Sequence, residues 1–370
     1  MPGLETILKD RDVRRLVYCH CDHFEPWRSK PRSIGPENAA LVERFAEVTA
    51  ALPYARRLTL FTRTHVKPVA SERTGAVSLE GEPLGFLPLN AKQLEVTSPA
   101  MRALTAGGHE IQIHVHHERV TANEKYAQSS PFASYLLSPE GRARQGERFS
   151  LLTRLSLEQL RAETGEPLDR WLFVHGNWGL NGSDRNVCEI DDEILRLQAL
   201  GCQGDFTFSG EPFVAHCNPD FHHPAWIVPG ERQRCYSREG ADARAAQAQG
   251  EDPGADRFFL WSSRPDRMVC ALDYRYPDVA PNLADPEGWA RDVVDASVTI
   301  GDTLYVMTYG HSMHGAHGEG VDDIVFPHEH PGVRAMLESV FEAADKAGLT
   351  TDFVTAREIV NELCRMNTDR

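Results

Sequence analysis

The chain of 370 residues has no uninterrupted apolar run of about 18 residues, the length a membrane-spanning helix needs. Its start, Met1 to Arg15, is charged and lacks the apolar stretch of a secretory signal, so a cytoplasmic location is expected. Basic charge is also scarce: 39 Lys and Arg stand against 54 Asp and Glu, for a net charge of −15. That balance argues against a nucleic-acid partner, whose phosphates need a basic stripe. Eight cysteines (Cys19, Cys21, Cys188, Cys202, Cys217, Cys235, Cys270 and Cys364) include no CxxC pair, which argues against a structural zinc finger and suggests reduced thiols. No internal repeat is visible. Hydrophobic residues at 41% and charged residues at 25% describe an ordinary globular protein, long enough for one α/β barrel.

Strand and helix patterns alternate along the chain. Arg15–Cys21, Arg57–Thr62, Trp171–His175, Asp205–Phe208 and Leu304–Tyr309 read as buried strands. Leu41, Val42, Phe45, Val48 and Leu52 recur at helical spacing behind Pro36 and predict a helix over 36–52. Met101–Thr105 reads as a short helix stopped by Gly107 and Gly108, and Ser156-x-x-Gln159 as a capping box opening a helix to Glu163. Asp191 caps a helix ending at Leu200, with Gly201 beyond it. Pro331–Ala347, closed by Gly348, and a last helix opened by Thr355-x-x-Glu358 finish the series. Such alternation predicts an α/β fold with a mostly parallel sheet, either a barrel or doubly wound. One catalytic domain over 1–370 is expected, with a long loop insertion at about 209–300. Within it, Ser237 to Asp256 reads as a surface loop.

Histidine is concentrated where chemistry is expected. Of 16 histidines, four lie between positions 109 and 117, at the end of the strand-like Gly108-His109-Glu110-Ile111-Gln112-Ile113-His114-Val115-His116-His117. Side chains two apart on a strand share a face, so His114 and His116 have the spacing of two metal ligands. His20-x-Asp22 repeats that spacing on the first strand. Further polar strand ends follow at His175-Gly176-Asn177-Trp178, at Asp205 and at Gly310-His311-Ser312. Barrel enzymes draw catalytic groups from the ends of several strands. A divalent metal held by imidazoles and a carboxylate activates water and polarises a carbonyl, and a further histidine can protonate the leaving group. His311 suits that last role by position. Trp27, Trp178 and Trp226 are either sugar-stacking rings or core, with Trp178 the best platform. His328-Glu329-His330-Pro331 reads as a surface helix start.

The order of these motifs resembles the NodB-like polysaccharide deacetylases, carbohydrate esterase family 4, over most of the chain. Gly108-His109-Glu110-Ile111-x-x-His114 is similar to that family's GHEIxxH motif, its most specific match. Cys21-Asp22 falls where the family has paired aspartates, and Phe173-Val174-His175-Gly176-Asn177-Trp178 resembles its third motif. Gly201 to Phe208 resembles its glycine-then-aspartate motif, His311 its late histidine, and Phe353-Val354-Thr355 its closing segment. The likeness is nearest to a branch with a DHFEPW-like start and an HGNW motif. It implies a distorted (β/α)7 barrel and metal-dependent removal of acetyl groups from amino sugars.

Three positions depart from the family. Cys21 stands at the general base, Val174 at the arginine that pairs with that base, and Glu118 at the second metal histidine. Joint loss of the base and its arginine avoids a buried unpaired charge. On this reading Asp22, His114 and His116, with His20 as a fourth, hold the divalent metal, and strand geometry favours His116 over His117. The metal is expected to be zinc, with cobalt or nickel as alternatives. Glu25, His23 or His20 replaces the base, His175 takes the arginine's role, and Trp178, Asn177 and Trp27 contact a small-molecule or oligosaccharide substrate. Asp205 is assigned a structural role. Two other functions compete: a non-hydrolytic metal- or carbohydrate-binding barrel, and a cyclic-amide hydrolase on a related barrel.

Overall fold

The computed structural model describes residues 3–27, 34–64, 78–79, 82–83, 88–115, 144–175, 190–206, 225–227, 258–261, 269–276, 279–313 and 325–368. The first strand, β1 (Arg15–Phe24), is buried on both faces from Leu16 onward. A strand with no solvent face belongs to a sheet covered on both sides, as parallel sheets are. β1 pairs in parallel along 15–22 with β9 (Thr303–Gly310). Its other edge is shared: β10 (Thr350–Phe353) takes 15–18 and β2 (Thr59–Arg63) takes 21–24. From β2 the parallel run continues through β3 (Glu110–Val115), β4 (Trp171–His175) and β5 (Cys202–Asp205) to β7 (Phe258–Leu260). Antiparallel strands close the two ends of the order, β8 (Val298–Ile300) on β9 and β6 (Ala225–Ile227) on β7.

The run β9-β1-β2-β3-β4-β5-β7 curls around a common interior. Trp261, directly after β7, lies 5.8 Å from Tyr305 of β9 between ring centroids. Phe61 of β2 and Phe206 after β5 lie 6.1 Å apart across the interior. This is a distorted (β/α) barrel on seven parallel strands. Outside it pack α2 (Pro36–Ala50), α3 (Ala91–Ala106), α4 (Gln145–Thr164), α5 (Ile190–Ala199), α6 (Pro286–Ala296), α7 (Pro331–Ala347) and α8 (Ala356–Thr368), with α1 (Leu4–Asp10) against α7. None of the described helices is long and apolar enough to cross a membrane.

Register assigns the two faces of β1. Cys21 pairs with Tyr309, which shares a face with the interior Tyr305, and His23 pairs with the interior Phe61. Cys19, Cys21 and His23 therefore point inward. Tyr18 meets Phe341 of α7 at 5.2 Å and Phe24 meets Phe45 of α2 at 5.3 Å, so Tyr18, His20, Asp22 and Phe24 point toward the helices.

Several expectations need correction. Residues 209–300 are not simply a loop insertion: they supply β6, β7, α6 and β8, and Trp289 of α6 is buried. Ser237 to Asp256 lies outside the described residues. The helix ending at Ala106 starts at Ala91, where Asn90 and Gln93 form a reciprocal cap. Ser156 and Gln159 open no helix, because α4 runs through both; Gln159 instead binds the Leu89 N–H and the Thr64 carbonyl. The strand expected at Asp205–Phe208 ends at Asp205. His109 leaves the histidine cluster: its Nδ1 accepts the Leu58 N–H and its Nε2 bonds Thr49, while burial lowers its pKa to about 4. His328, read as surface, is fully buried beside His20 at 4.6 Å.

Gly201, ahead of β5, has φ +92°, and a Cβ there would run into the Asp169 carbonyl oxygen. Gly201→Ala should lower stability by about 2 kcal/mol or more. Chemical denaturation measures this, and a loss below about 0.5 kcal/mol contradicts the account.

Candidate active site at the strand C-terminal ends

Three imidazoles converge inside the C-terminal end of the barrel. The His23 ring lies 4.7 Å from that of His114 on β3 and 4.7 Å from that of His311 after β9. His114 Nδ1 lies 3.2 Å from the Val174 carbonyl oxygen, which fixes the proton on Nδ1 and leaves Nε2 as the basic nitrogen. Nε2 faces Glu25 Oε1 at 3.4 Å, and Glu25 Oε2 faces the Arg63 guanidinium at 3.4 Å. A basic nitrogen opposite a carboxylate oxygen requires a positive charge between them, either a proton or a metal ion. The donor chemistry of His23, His114 and Glu25 therefore suits a divalent cation, although no group of three such side chains among the described residues is already arranged to hold one.

His311 is held most firmly. Its backbone N–H donates to Asp273 Oδ1 at 2.7 Å and its Nδ1–H to Asp273 Oδ2 at 2.8 Å. Asp273 arrives there because residues 270–272 pair with the end of β9: Tyr309 donates to the Cys270 carbonyl and Leu272 to the Tyr309 carbonyl. Burial disfavours the charged imidazole, but the carboxylate of Asp273, with smaller help from Glu25 and Asp22, outweighs it and raises the His311 pKa above the ordinary value. His311 and Asp273 open onto a cavity of about 220 Å³ also lined by Tyr274, Tyr276 and Ser312. An imidazole whose charged form is favoured in this way, facing a cavity, is equipped to give a proton to a bound molecule.

The other expected residues fall into three groups. His20 and Asp22 are buried on the helix-facing side of β1 and do not join His114. Asp22 accepts the Ser312 N–H at 3.1 Å and the Ser312 hydroxyl at 2.6 Å, and His20 bonds Thr308 at 2.9 Å. Trp27 offers no open ring face: it is buried, as is Glu163, whose carboxyl burial pushes up to about 7 against the hydrogen bond that Thr97 donates to it. His116, His117, Glu118, Asn177 and Trp178 lie outside the described residues, as do the side chains of His175 and Trp226. Asp205 is buried at the end of β5, where its carbonyl accepts the Trp261 N–H. Cys21 is buried beside Cys19 with its thiol pKa raised well above the usual value by that burial, and Val174 is core.

Sequence reasoning missed Asp273 and Ser312. Asp273 sits in the stretch read as insertion, and its one local signal is the short apolar run Val269 to Leu272 ahead of it.

No family model matches the chain, and no curated protein matches it. Among solved structures it is similar to a mutant of a CE4 family pseudoenzyme with restored enzymatic activity, at 7% identity over 94% of this chain and 68% of the other, with a TM-score of 0.37. It is also similar to a Mycobacterium smegmatis protein assigned as a polysaccharide deacetylase, at 11% identity over 95% and 91%, TM-score 0.42. An alpha-mannosidase from Enterococcus faecalis V583 aligns at 10% identity over 95% of this chain and 29% of its own, TM-score 0.38.

The raised His311 pKa fixes a sign. The Asp273 pair stabilises the fold fully below the unfolded histidine value of about 6.5, and that contribution is lost as pH rises through the folded value. An NMR titration should place His311 above about 6.5 and show Asp273→Asn lowering its midpoint. An unmoved midpoint would sink the pairing.

Proposed function

We propose that the protein is a metal-dependent hydrolase that removes an acyl group from an amino sugar or glycan precursor. The observation that carries this is the His311–Asp273 pair, a half-buried imidazole oriented by a carboxylate that favours its charged form, beside a cavity. A histidine whose charged form is favoured by a neighbouring carboxylate can donate a proton to a departing amine.

His311 holds that proton on Nε2, and Asp273 fixes the ring and stabilises its positive charge. Glu25, between His114 and Arg63, is the carboxylate placed to accept a proton from water. His114 and His23, with His116 as the further expected ligand, would hold a divalent ion, zinc by the imidazole donor set. Such an ion supplies Lewis acidity toward an acyl carbonyl and toward water. Asp22 and His20, expected as ligands, have no part in this set because they face the helices. Tyr274 and Tyr276 give the cavity aromatic surface suited to a sugar ring.

A second reading, a metal- or sugar-binding barrel without hydrolysis, draws on Cys21. At the position of the family's base it offers a thiol that burial keeps protonated, so neither base nor nucleophile.

Acetate release from a panel of N-acetylated amino sugars, run beside cyclic amides, separates these functions. On the substrate that turns over, His311→Ala should lower kcat by about 10²–10⁴-fold. Full activity in that variant rejects the mechanism, and turnover of cyclic amides alone reassigns the bond. Bound metal should fall in His114→Ala and not in His20→Ala. The reverse pattern would restore the ligand set expected from sequence.

A further inference from the structure

We infer that Asp22 is a positioning residue: through Ser312 it holds in place the turn that presents His311. This rests on His311 being the proton donor. Two consecutive amides of the turn, those of His311 and Ser312, donate to carboxylates on opposite sides, Asp273 and Asp22. The Ser312 amide reaches both Asp22 oxygens at 3.1 Å, and the Ser312 hydroxyl adds a 2.6 Å bond to Oδ2. Asp22 and Ser312 are both buried, so these bonds are shielded from water.

Asp22 is itself held from behind. Tyr18 Oη lies 2.8 Å from Thr308 Oγ1, Thr308 Oγ1 lies 2.9 Å from His20 Nδ1, and His20 Nε2 faces Asp22 Oδ2 at 3.4 Å. One proton arrangement serves every member: Tyr18 donates to Thr308, Thr308 to His20, and His20 to Asp22. The chain ends on the same carboxylate that receives Ser312, so its members rigidify one another. His311 is thus fixed twice. Asp273 sets the ring's tautomer and charge, and Asp22 sets the backbone from which the ring projects. A proton donor displaced by even 1 Å loses much of its rate, so the second fixation matters to catalysis.

The test uses the full chain with Ser312→Ala, which removes the shortest bond, and Asp22→Asn, which removes the charge. Amide hydrogen exchange at His311 and Ser312 should speed up by about tenfold or more in either variant, as expected for loss of a charge-assisted bond. Asp22→Asn should keep the wild-type metal content. On a substrate that turns over, Ser312→Ala should lower kcat with KM unchanged, and Ser312→Thr, which keeps the hydroxyl, should recover it. Unchanged amide protection in Ser312→Ala overturns the inference, and so does loss of metal in Asp22→Asn. Absence of any acyl hydrolysis by the wild type would reject the proposed function instead, while the exchange measurement still decides the clamp.

Discussion

β1 is buried on both faces, and that constraint shapes everything around it. From Leu16 onward each of its side chains must be satisfied by one of two dry layers, since none of these can turn to solvent. Inward, Cys19, Cys21 and His23 meet the barrel interior. Outward, Tyr18, His20, Asp22 and Phe24 meet α2, α7 and the turn after β9. The polar members of both sets are accommodated by hydrogen bonds or ring contacts with neighbouring elements. The same strand therefore supplies an imidazole to the interior cluster and a carboxylate to its scaffold.

Period-two reasoning recovered half of this. It correctly grouped His20 with Asp22, because residues two apart share a face. It could not say which face was inward, since a strand apolar on both sides has no amphipathic signal to orient it. His23 went to the interior and Asp22 to the helices, the opposite of the ligand set read from sequence. His114 was legible because the glycines ahead of β3 and its alternating Ile, His and Val residues mark strand and end together. α7 was read from Pro331 to Gly348 as observed, its start and stop being set by local chemistry.

Long-range pairing was the part hidden from the sequence. Asp273 reaches His311 only because residues 270–272 lie along β9, and no local pattern announces that contact. Ser156 and Gln159 spell a capping box yet lie within a 20-residue helix, where packing outweighs a local cap signal. Cys21 and Val174 illustrate the reverse case. Where the resembled family has a charged pair, this chain has a thiol and an aliphatic side chain, both buried without a charge to compensate.

The central strand also has a history during synthesis. Its partner across the longest ladder is β9, with Arg15 opposite Thr303, and β10 joins later still. At about 5–20 residues per second, roughly 15–60 s separate the emergence of β1 from that of β9. For that interval an apolar strand has one edge without its final neighbour, the condition that favours pairing with other chains. The last third of the polypeptide supplies β7 and β9, so a nascent chain halted before β9 would carry the interior histidines His23 and His114 without the turn that completes them.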